Sequence, residues 1–317
     1  MTAITEAQSR PPRRPKKAQA SVLYDAPGPR ARLRNNIFTL VALVVILGIA
    51  YLIIATLSDK GQLEGKLWKP FVQGEVWQDY IIPGLVATLK ATAVAAVLAL
   101  VFGVLFGIGR LSDHAWIRVP AGAIVEFFRA IPLLLLIFFI FQGPPAIADA
   151  FQRELPPIST FTALVIGLML YNGSVLAEIF RAGINAVPKG QSEAAYAIGL
   201  RKSGVMRLIL VPQATTAMMP AIVSQLVVLL KDSALGWIIS YEDLLNEGYR
   251  LIPPRFFGNL IQAAIVVAMI YIAINLALSY LAHWLERRSR RSRKSAARIM
   301  SAEPVGQVEL GTGGARV

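Results

Sequence analysis

Residues 37–57 read IFTLVALVVILGIAYLIIATL, a run without a charged side chain. A helix needs about 20 apolar residues to cross a bilayer, so this stretch predicts a membrane-spanning helix. Further long apolar runs predict spans at 85–109, 119–142, 158–180, 213–235 and 256–284. Continuous runs of this length exclude a β-barrel, whose strands are about ten residues long and alternate in polarity. The sequence therefore predicts an all-α membrane protein with about six transmembrane helices.

The composition agrees with a membrane location. The chain is 55% hydrophobic and 16% charged, whereas a soluble domain is about 25% charged. It has no cysteine, which excludes disulfides, thiol catalysis and Cys-ligated zinc. Because His114 and His283 are the only histidines, a His-rich metal site is not expected.

Basic residues flank the apolar runs and set the predicted orientation. The net charge is +13, and most of the 32 Lys and Arg residues fall in segments that share one side if the N-terminus is inside. The positive-inside rule then places both termini in the cytosol. We predict a disordered basic tail at 1–36, a first span at 37–57, a core at 80–284 with a cytosolic loop at 181–212, and a basic tail at 285–317. We expect the tails to contact anionic lipid rather than nucleic acid.

The loop at 181–212 is the longest one predicted to be cytosolic, and it has the pattern of two short helices separated by a glycine. Ser192 is the predicted N-cap of the first helix, because its hydroxyl can bond to a free helix-start amide. Gly199 permits a reversal of the backbone that a bulkier residue would resist. Pro212 suits the first turn of a helix and predicts the start of the fifth span.

One pattern in this loop resembles the signature of permease subunits of bacterial ATP-binding-cassette (ABC) importers. It reads Glu193-Ala194-Ala195-x3-Gly199-x9-Ile209-Leu210-Val211-Pro212, with Val211 where the family usually has Leu. The resemblance implies a MetI-like permease fold with a cytosolic coupling helix between helices four and five. In that family the coupling helix docks in a cleft of the ATPase. The residues to which the resemblance assigns ATPase coupling are Gly190, Glu193, Ala194, Ala195, Gly199 and Pro212.

Other motifs resemble the polar-amino-acid branch of this family, the histidine/glutamine/glutamate type. They lie at 84–92, 126–134, 177–191, 212–214 and 229–235. The overall layout looks most like actinobacterial glutamate permeases. Ser233-Ala234 replaces the commoner Thr-Ser, and the stretch Tyr171-Asn172-Gly173-Ser174 is unusual, so the motifs leave the substrate open.

The resemblance also implies a function and a set of partners. The chain would translocate a polar amino acid, glutamate or a related one, across the cytoplasmic membrane, driven by an ABC ATPase dimer. A second related permease subunit, in a heteromer, and an extracytoplasmic amino-acid-binding protein would complete the complex. ATP and Mg²⁺ are expected on the ATPase, and no cofactor is expected on this chain.

Charged and small residues interrupt the apolar runs. A charge at the bilayer centre costs about 2.5–3.5 kcal/mol on insertion scales, so it usually pairs or lines a cavity. We hypothesise that Lys231, Asp232 and Ser233 line the substrate pathway; the alternative is that the charged pair caps its helix and snorkels to the outer interface. Gly103 and Gly107 form a small-xxx-small step, which predicts close helix packing.

Two pairs of opposite charges are spaced by three residues, so each pair shares a helix face. Glu126 and Arg129 lie in the first half of the third predicted span. We predict a structural ion pair or an inward gate for them. Glu178 and Arg181 precede the cytosolic loop and are predicted to orient it.

The alternative function from another class is a secondary amino acid transporter. It would need acidic relay residues in several spans, and inverted repeats with broken helices. An intramembrane protease would need a Ser–His pair or paired aspartates at membrane depth. The nearest match to a Walker A nucleotide loop, at 61–67, has the wrong spacing. The importer interpretation is preferred because it alone explains the loop that ends at Pro212.

Overall fold

The computed structural model describes residues 28–152, 156–256 and 258–300. Within these residues, the helices of nine residues or more are α1 (Pro29–Asp59), α2 (Ile82–Arg110), α3 (Ala115–Ala130), α4 (Leu133–Ala150), α5 (Thr160–Asn185), α6 (Lys189–Ala197), α7 (Val211–Asp232) and α8 (Leu260–Met300). Shorter helical segments lie at Gly65–Trp68, Lys69–Val72, Gly74–Val76, Trp77–Ile81, Lys202–Gly204, Val205–Leu210, Ser233–Ile239, Asn246–Leu251 and Ile252–Arg255. The all-α prediction is confirmed.

Six helical stretches in the described part of the chain are long and apolar enough to span a membrane. They are Pro29–Asp59, Gly74–Arg110, Leu133–Phe151, Thr160–Asn185, Lys202–Ile239 and Leu260–Leu281. Helices suit this environment because they satisfy every interior backbone N–H and C=O within one segment, where lipid offers no partner. The predicted number of spans is therefore confirmed.

The first helix starts earlier than the span predicted at 37–57. It begins at Pro29, where the ring fits the first turn because that N–H has no helical acceptor. Helix α1 belongs to one compact unit of the chain, and α2–α8 belong to a second. Most of the predicted tail at 1–36, and residues 301–317 of the predicted C-terminal tail, lie outside the described residues. The backbone of α8 continues as a helix to Met300.

The third predicted span, 119–142, is wrong in its boundaries. The chain breaks at Ile131 and Pro132, whose backbones are extended, so α3 and α4 are separate helices. The physical reason is Pro132, because its ring disfavours the helical conformation of the residue before it. The membrane-crossing stretch is Leu133–Phe151, and Glu126 and Arg129 therefore lie on α3, outside the span.

The second unit is organised around the contact between α2 and α5. One face of α2 carries small buried residues at four-residue intervals, namely Ala91, Ala95, Ala99, Gly103 and Gly107. The backbones approach so closely that a Cβ added to Gly103 would lie 2.7 Å from the Cβ of Leu176. A Cβ on Gly107 would lie 3.1 Å from the carbonyl oxygen of Ala177. The small-xxx-small prediction is confirmed as packing within the chain.

The opposite face of α2 is large and apolar. Its exposed side chains are Val86, Leu89, Val97, Val101, Leu105 and Ile108. This arrangement, with small residues inside and large ones outside, suits a helix in lipid, where close packing rather than exclusion from water holds helices together. The remaining core residues come chiefly from α4, α5 and α7, including Ile137, Leu164, Leu168 and Leu229.

At the N-terminal end of α2, the segment at 241–247, which follows α7, packs closely against the helix. A Cβ on Gly84 would lie 2.9 Å from the Cα of Leu244. The amide of Leu244 donates to the hydroxyl of Thr88 at 3.0 Å, and the hydroxyl of Tyr241 donates to the carbonyl of Ala87 at 2.9 Å. These bonds fix the segment that contains Asp243.

Asp243 is a fully buried carboxylic acid in this segment. Its Oδ1 accepts a hydrogen bond from the backbone amide of Asn246 at 2.7 Å. Burial raises the pKa of Asp243 to about 7, although this bond and a bond from the amide of Leu245 act in the opposite direction. The negative charge of Glu247 raises the pKa further, and burial raises the pKa of Glu247 itself.

Replacing Gly103 with Ala should destabilise the second unit. The added methyl group meets the fixed Cβ of Leu176, and overpacking of this kind costs about 1–3 kcal/mol. Gly48→Ala in α1 is the matched control, because an added Cβ there has nothing within 4 Å. Thermal unfolding in detergent, followed by size-exclusion chromatography, should show a lower midpoint for Gly103→Ala only. Equal midpoints for the two variants would contradict the close packing.

Asp243 should make stability depend on pH. Its pKa is higher in the folded chain than the ordinary value of 3.8, so folding takes up a proton between these two pH values. The stabilisation is complete below about pH 4 and is lost as the pH rises through about 7, a difference of at most a few kcal/mol. Glu247 acts in the same direction, so one variant should remove only part of the slope.

Asp243→Asn keeps an acceptor for Asn246 but removes the titration. We expect its unfolding midpoint to fall less than that of the wild type between pH 5 and pH 8. Asp149→Asn, the same change at an exposed position in α4, is the control and should keep the wild-type slope. The same slope in Asp243→Asn as in the wild type would show that the carboxyl is already ionised at pH 5.

Candidate functional site

The loop predicted to couple the chain to an ATPase contains helix α6. The helix begins at Lys189, with Pro188 in the N-cap position. The prediction that Ser192 caps it is wrong, because the helix starts three residues earlier. The hydroxyl of Ser192 instead donates to the carbonyl of Lys189 at 2.8 Å. Proline can take this place because the preceding loop needs no hydrogen bond from its nitrogen.

The end of α6 is a Schellman motif. Gly199 has a φ of +82°, and its amide donates to the carbonyl of Tyr196 at 2.9 Å, while the amide of Leu200 donates to the carbonyl of Ala195 at 3.1 Å. These two bonds are the ones that close a helix through a left-handed residue, a conformation that glycine adopts without steric cost. The predicted reversal at Gly199 is confirmed.

Helix α6 has one packed residue and a broad exposed surface. Ala195 is buried, and the helix lies against the wide helical turn Val205–Leu210 that leads into α7. The predicted coupling residues Gly190, Glu193 and Ala194 are exposed, as are the large side chains of Tyr196 and Ile198. We call this exposed set, Gly190, Glu193, Ala194, Tyr196 and Ile198, the α6 face. Such a face is suited to contact with another protein.

Pro212 lies in the first turn of α7, but the prediction that the fifth span starts there is wrong, because the stretch able to span a membrane begins at Lys202. The backbone is helical without a break from Lys202 to Ile239, although it widens over Val205–Leu210 before Pro212. Because the proline ring cannot donate to a preceding carbonyl, a helix that passes through it must rearrange its bonds locally. Helix α6 is thus followed directly by a span.

A cluster of five charged side chains joins α2, α3 and α5 near this loop. Glu178 on α5 pairs with Arg181 at 2.5 Å and with Arg110 at 3.2 Å, and Arg129 lies 4.0 Å away. The second guanidinium nitrogen of Arg110 bonds to Glu126 at 2.9 Å. We call these five residues the ionic cluster. It contains three positive and two negative side chains and connects three helices.

Of the two predicted ion pairs, Glu178 with Arg181 is present, and Glu126 with Arg129 is not. Glu178 pairs with Arg181 as predicted, at 2.5 Å. Glu126 bonds to Arg110 rather than to Arg129, whose ion-pair partner in the described residues is Glu178. Sequence spacing finds partners on one helix only, so Arg110 was missed. The available signal was the position of Arg110 in the last turn of α2.

A second polar group lies inside the bundle, between α5 and α7. Asn172 is fully buried, and its side-chain amide donates to Asp232 at 3.3 Å. Its carbonyl oxygen accepts from Gln225 at 2.7 Å. We call Asn172, Gln225 and Asp232 the polar chain. Each buried polar group of Asn172 thus has a partner, as buried groups in a low-dielectric interior require.

The three residues hypothesised to line the substrate pathway are not brought together. Asp232 belongs to the polar chain and points towards α5. Lys231 is exposed and lines a cavity of about 550 Å³ between α7 and α8, together with Tyr271 and Asn275. Ser233 is buried, and its hydroxyl donates to the carbonyl of Leu230 at 2.8 Å. Neighbouring residues on a helix point about 100° apart, so adjacency in sequence does not place them on one face.

Sequence reasoning missed Gln225 and gave Asn172 no role beyond belonging to an unusual stretch. Gln225 is separated from Asn172 by 53 residues. Its signal was an amide side chain in the middle of the apolar run of the fifth span. An uncharged polar side chain adds little to hydropathy, and its partner follows only from the packing of two helices.

Comparison with known proteins agrees with this geometry. Residues 99–291 match the family described as "Binding-protein-dependent transport system inner membrane component". The chain is 42% identical over 252 residues to the glutamate transport system permease protein GluD of Corynebacterium glutamicum, which covers 78% of this chain and 89% of that one. It is 33% identical to the arginine transport system permease protein ArtQ of Bacillus subtilis, over 66% of this chain and 92% of that one.

A solved structure has the same fold. It is a crystal structure of an amino acid ABC transporter with histidines, with a TM-score of 0.58 and 32% sequence identity. The match covers 67% of this chain and 95% of that one. The six spans, the helix between the fourth and fifth of them and these similarities lead to one assignment. The chain belongs to the family of binding-protein-dependent transport system inner membrane components, and it is a multi-pass permease subunit of an ABC importer in the cytoplasmic membrane.

Proposed function

We propose that this chain carries glutamate, or a closely related polar amino acid, across the cytoplasmic membrane. An extracytoplasmic binding protein delivers the amino acid, and ATP and Mg²⁺ are bound by a partner ATPase dimer. The observation that carries the proposal is α6, a short helix with a left-handed glycine end and an exposed face, placed directly before a span. A secondary transporter has no ATPase subunit that such a helix would contact.

The α6 face docks in a groove of the ATPase. Gly190 and Ala194 are small and exposed, so they permit a close approach of the partner. Glu193 offers a charge, and Tyr196 and Ile198 offer apolar area that water-exposed helices usually avoid. Ala195 has the opposite role, since it is buried and holds α6 on the turn before α7. A displacement of α6 by the ATPase therefore moves the fifth span.

The identity of the substrate rests on the relatives and on the polar chain. The relative of higher identity is a glutamate permease, and the other is an arginine permease. Glutamate and arginine share only the α-ammonium and α-carboxylate groups, so a common site must recognise these. Asp232 is a half-buried carboxylate held in place by Asn172, and we assign it to the α-ammonium group of the substrate. Lys231 lies on another face of α7 and faces α8, so it is given no contact with the same amino acid.

The ionic cluster is a candidate for the inward gate. It connects α2, α3 and α5 where these helices end near α6. Salt bridges between helices can form and break with little net cost, because the Coulomb gain and the desolvation penalty nearly cancel. A cluster of this kind can hold two arrangements of the bundle with similar energy.

The chain acts with a second, related permease subunit in a heteromer. The ATPase dimer offers two grooves, and one chain supplies one α6. The family resemblance of the polar-amino-acid motifs favours a related rather than an identical partner. The composition of the purified complex decides between these, because two copies of one chain carry one sequence and a heteromer carries two.

The coupling role is tested by co-purification. The chain is expressed with the permease and the ATPase encoded beside it, solubilised in mild detergent and isolated through an affinity tag. The ATPase should be recovered with the wild type and lost to background with Glu193→Arg plus Gly199→Pro, which reverses the charge of the α6 face and breaks its end. The control Glu242→Arg makes the same charge change at an exposed position in another loop and should retain the ATPase. Recovery with all three proteins would contradict the coupling role of α6.

The substrate role is tested by uptake in proteoliposomes. Hydrogen bonds to charged groups contribute about 1.5–3 kcal/mol, so Asp232→Asn should raise the apparent KM for glutamate about tenfold or more. Lys231→Met should leave this KM near the wild-type value, because the Lys231 side chain faces α8 instead. Ser233→Ala is the matched control on the same turn, and it should transport normally because its hydroxyl bonds within its own helix. A normal KM for Asp232→Asn at normal expression would remove Asp232 from the pathway.

A further inference from the structure

Lys202 joins the loop after α6 to the end of α2. It is the first residue of the short helical segment Lys202–Gly204. Its ammonium group donates to the carbonyl of Leu111 at 3.0 Å and forms an ion pair with Asp113. The residues are 91 positions apart in the sequence, so the contact connects separate parts of the fold. None of the roles assigned above uses it.

The two residues that Lys202 contacts, Leu111 and Asp113, are hydrogen-bonded to α2 and α3. The backbone amide of Leu111 donates to the carbonyl of Ile108 at 3.0 Å, which holds Leu111 at the C-terminal end of α2. The guanidinium of Arg118 on α3 donates to the carbonyls of Ser112 and Asp113, at 3.2 and 3.4 Å. A force on Leu111 therefore reaches both helices.

Lys202 also lies close to α6 along the chain. The amide of Leu200 donates to the carbonyl of Ala195 in α6, and the amide of Val205 donates to the carbonyl of Arg201 at 3.0 Å. Only Arg201 separates Leu200 from Lys202. Helix α6 and the turn that leads into α7 are thus two hydrogen-bonded segments, which are joined covalently at Leu200 and Arg201.

We propose that Lys202 is a positioning residue that transmits the displacement of α6 to α2 and α3. The inference rests on the proposed coupling of α6 to an ATPase. Without this contact, α6 would reach α2 and α3 only indirectly, through α5 and its ionic cluster or through side-chain packing. With it, the movement also reaches Arg110, which precedes Leu111 and belongs to the ionic cluster.

The energetics favour transmission over a purely structural role. The side chains of Lys202 and Asp113 are 40% and 74% exposed, and ion pairs this exposed contribute little to stability. The carbonyl of Leu111 adds a favourable interaction, because a positive charge is favoured at a helix C-terminus. The hydrogen bond from Lys202 lowers the pKa of Asp113, so the carboxylate stays charged at neutral pH. The contact persists in the resting state yet is weak enough to exchange during a cycle.

The test measures coupling in the full complex in proteoliposomes. ATP hydrolysis and glutamate uptake are recorded with and without the loaded binding protein, for the wild type and for Lys202→Met. We expect the stimulation by binding protein and the glutamate transported per ATP to fall about fivefold, the lower end of the range for coupling between two sites. Lys202→Arg keeps a donor and a charge and should restore most of the coupling. Lys66→Met removes a similarly exposed pair with Glu64 and should behave as the wild type.

A charge swap separates the two contacts of Lys202. Asp113→Lys combined with Lys202→Asp restores the ion pair but leaves the carbonyl of Leu111 without a donor. If the swap stays uncoupled, the carbonyl contact transmits the movement, and if it recovers, the ion pair does; both results support the proposal.

Unchanged stimulation and unchanged transport per ATP in Lys202→Met would overturn the role of Lys202 and leave the proposed function intact. Absence of stimulation in the wild-type complex would instead refute the proposed function, and this inference with it. An unfolding midpoint of Lys202→Met that falls in proportion to its loss of coupling would overturn the proposal in favour of a structural role.

Discussion

The close approach of α2 and α5 is the constraint on which the rest of the second unit depends. Inside a bilayer, burial of apolar side chains gains little, because lipid is as apolar as the protein interior. Helices are held by close packing instead, and the small residues from Ala91 to Gly107 supply it. Because α2 lies this close to α5, Arg110 at its end can reach Glu178. Thr88 at its beginning can likewise reach the segment with Asp243.

Two groups of polar contacts lie at the two ends of α2. At one end are the ionic cluster and Lys202, with exposed charges that can exchange partners. At the other end, Thr88 and Asp243 are buried and bond to backbone amides. Buried bonds of this kind are costly to break because an unpaired polar group is left behind. The first end is therefore suited to rearrange during transport and the second to act as a fixed pivot.

The sequence predicted those features that depend on short-range physics. Apolar runs predicted the six spans, and Gly199 predicted the end of α6, since both follow from local patterns. Pro212 lies in the first turn of α7, but the fifth span begins earlier, at Lys202. The Gly103–Gly107 step predicted packing because only small residues allow it. The third span was misplaced because hydropathy ignores the break that Pro132 imposes. Ser192 was misplaced because helix starts depend on the chain before them, here Pro188.

The contacts between helices could not be obtained in this way. Arg110 with Glu178, Asn172 with Gln225, and Lys202 with Leu111 join residues that are 53 or more positions apart. Their partners are decided by which helices pack together and at what rotation, information that no local pattern contains. The same limit explains why Lys231 and Asp232 were assigned to one cavity, although the rotation of α7 directs them to α8 and α5.

These long-range contacts have a common consequence for coupling. Helix α5 takes part in the tight packing with α2, the ionic cluster and the polar chain. Residues 172 and 178 are less than two helical turns apart, at about 1.5 Å of rise per residue. A change in the ionic cluster that rotates or shifts α5 must therefore alter the geometry around Asn172 and Asp232, because a well-packed helix moves as a rigid body. The ionic cluster near α6 and the half-buried carboxylate of Asp232 are thus linked through one rigid helix, α5.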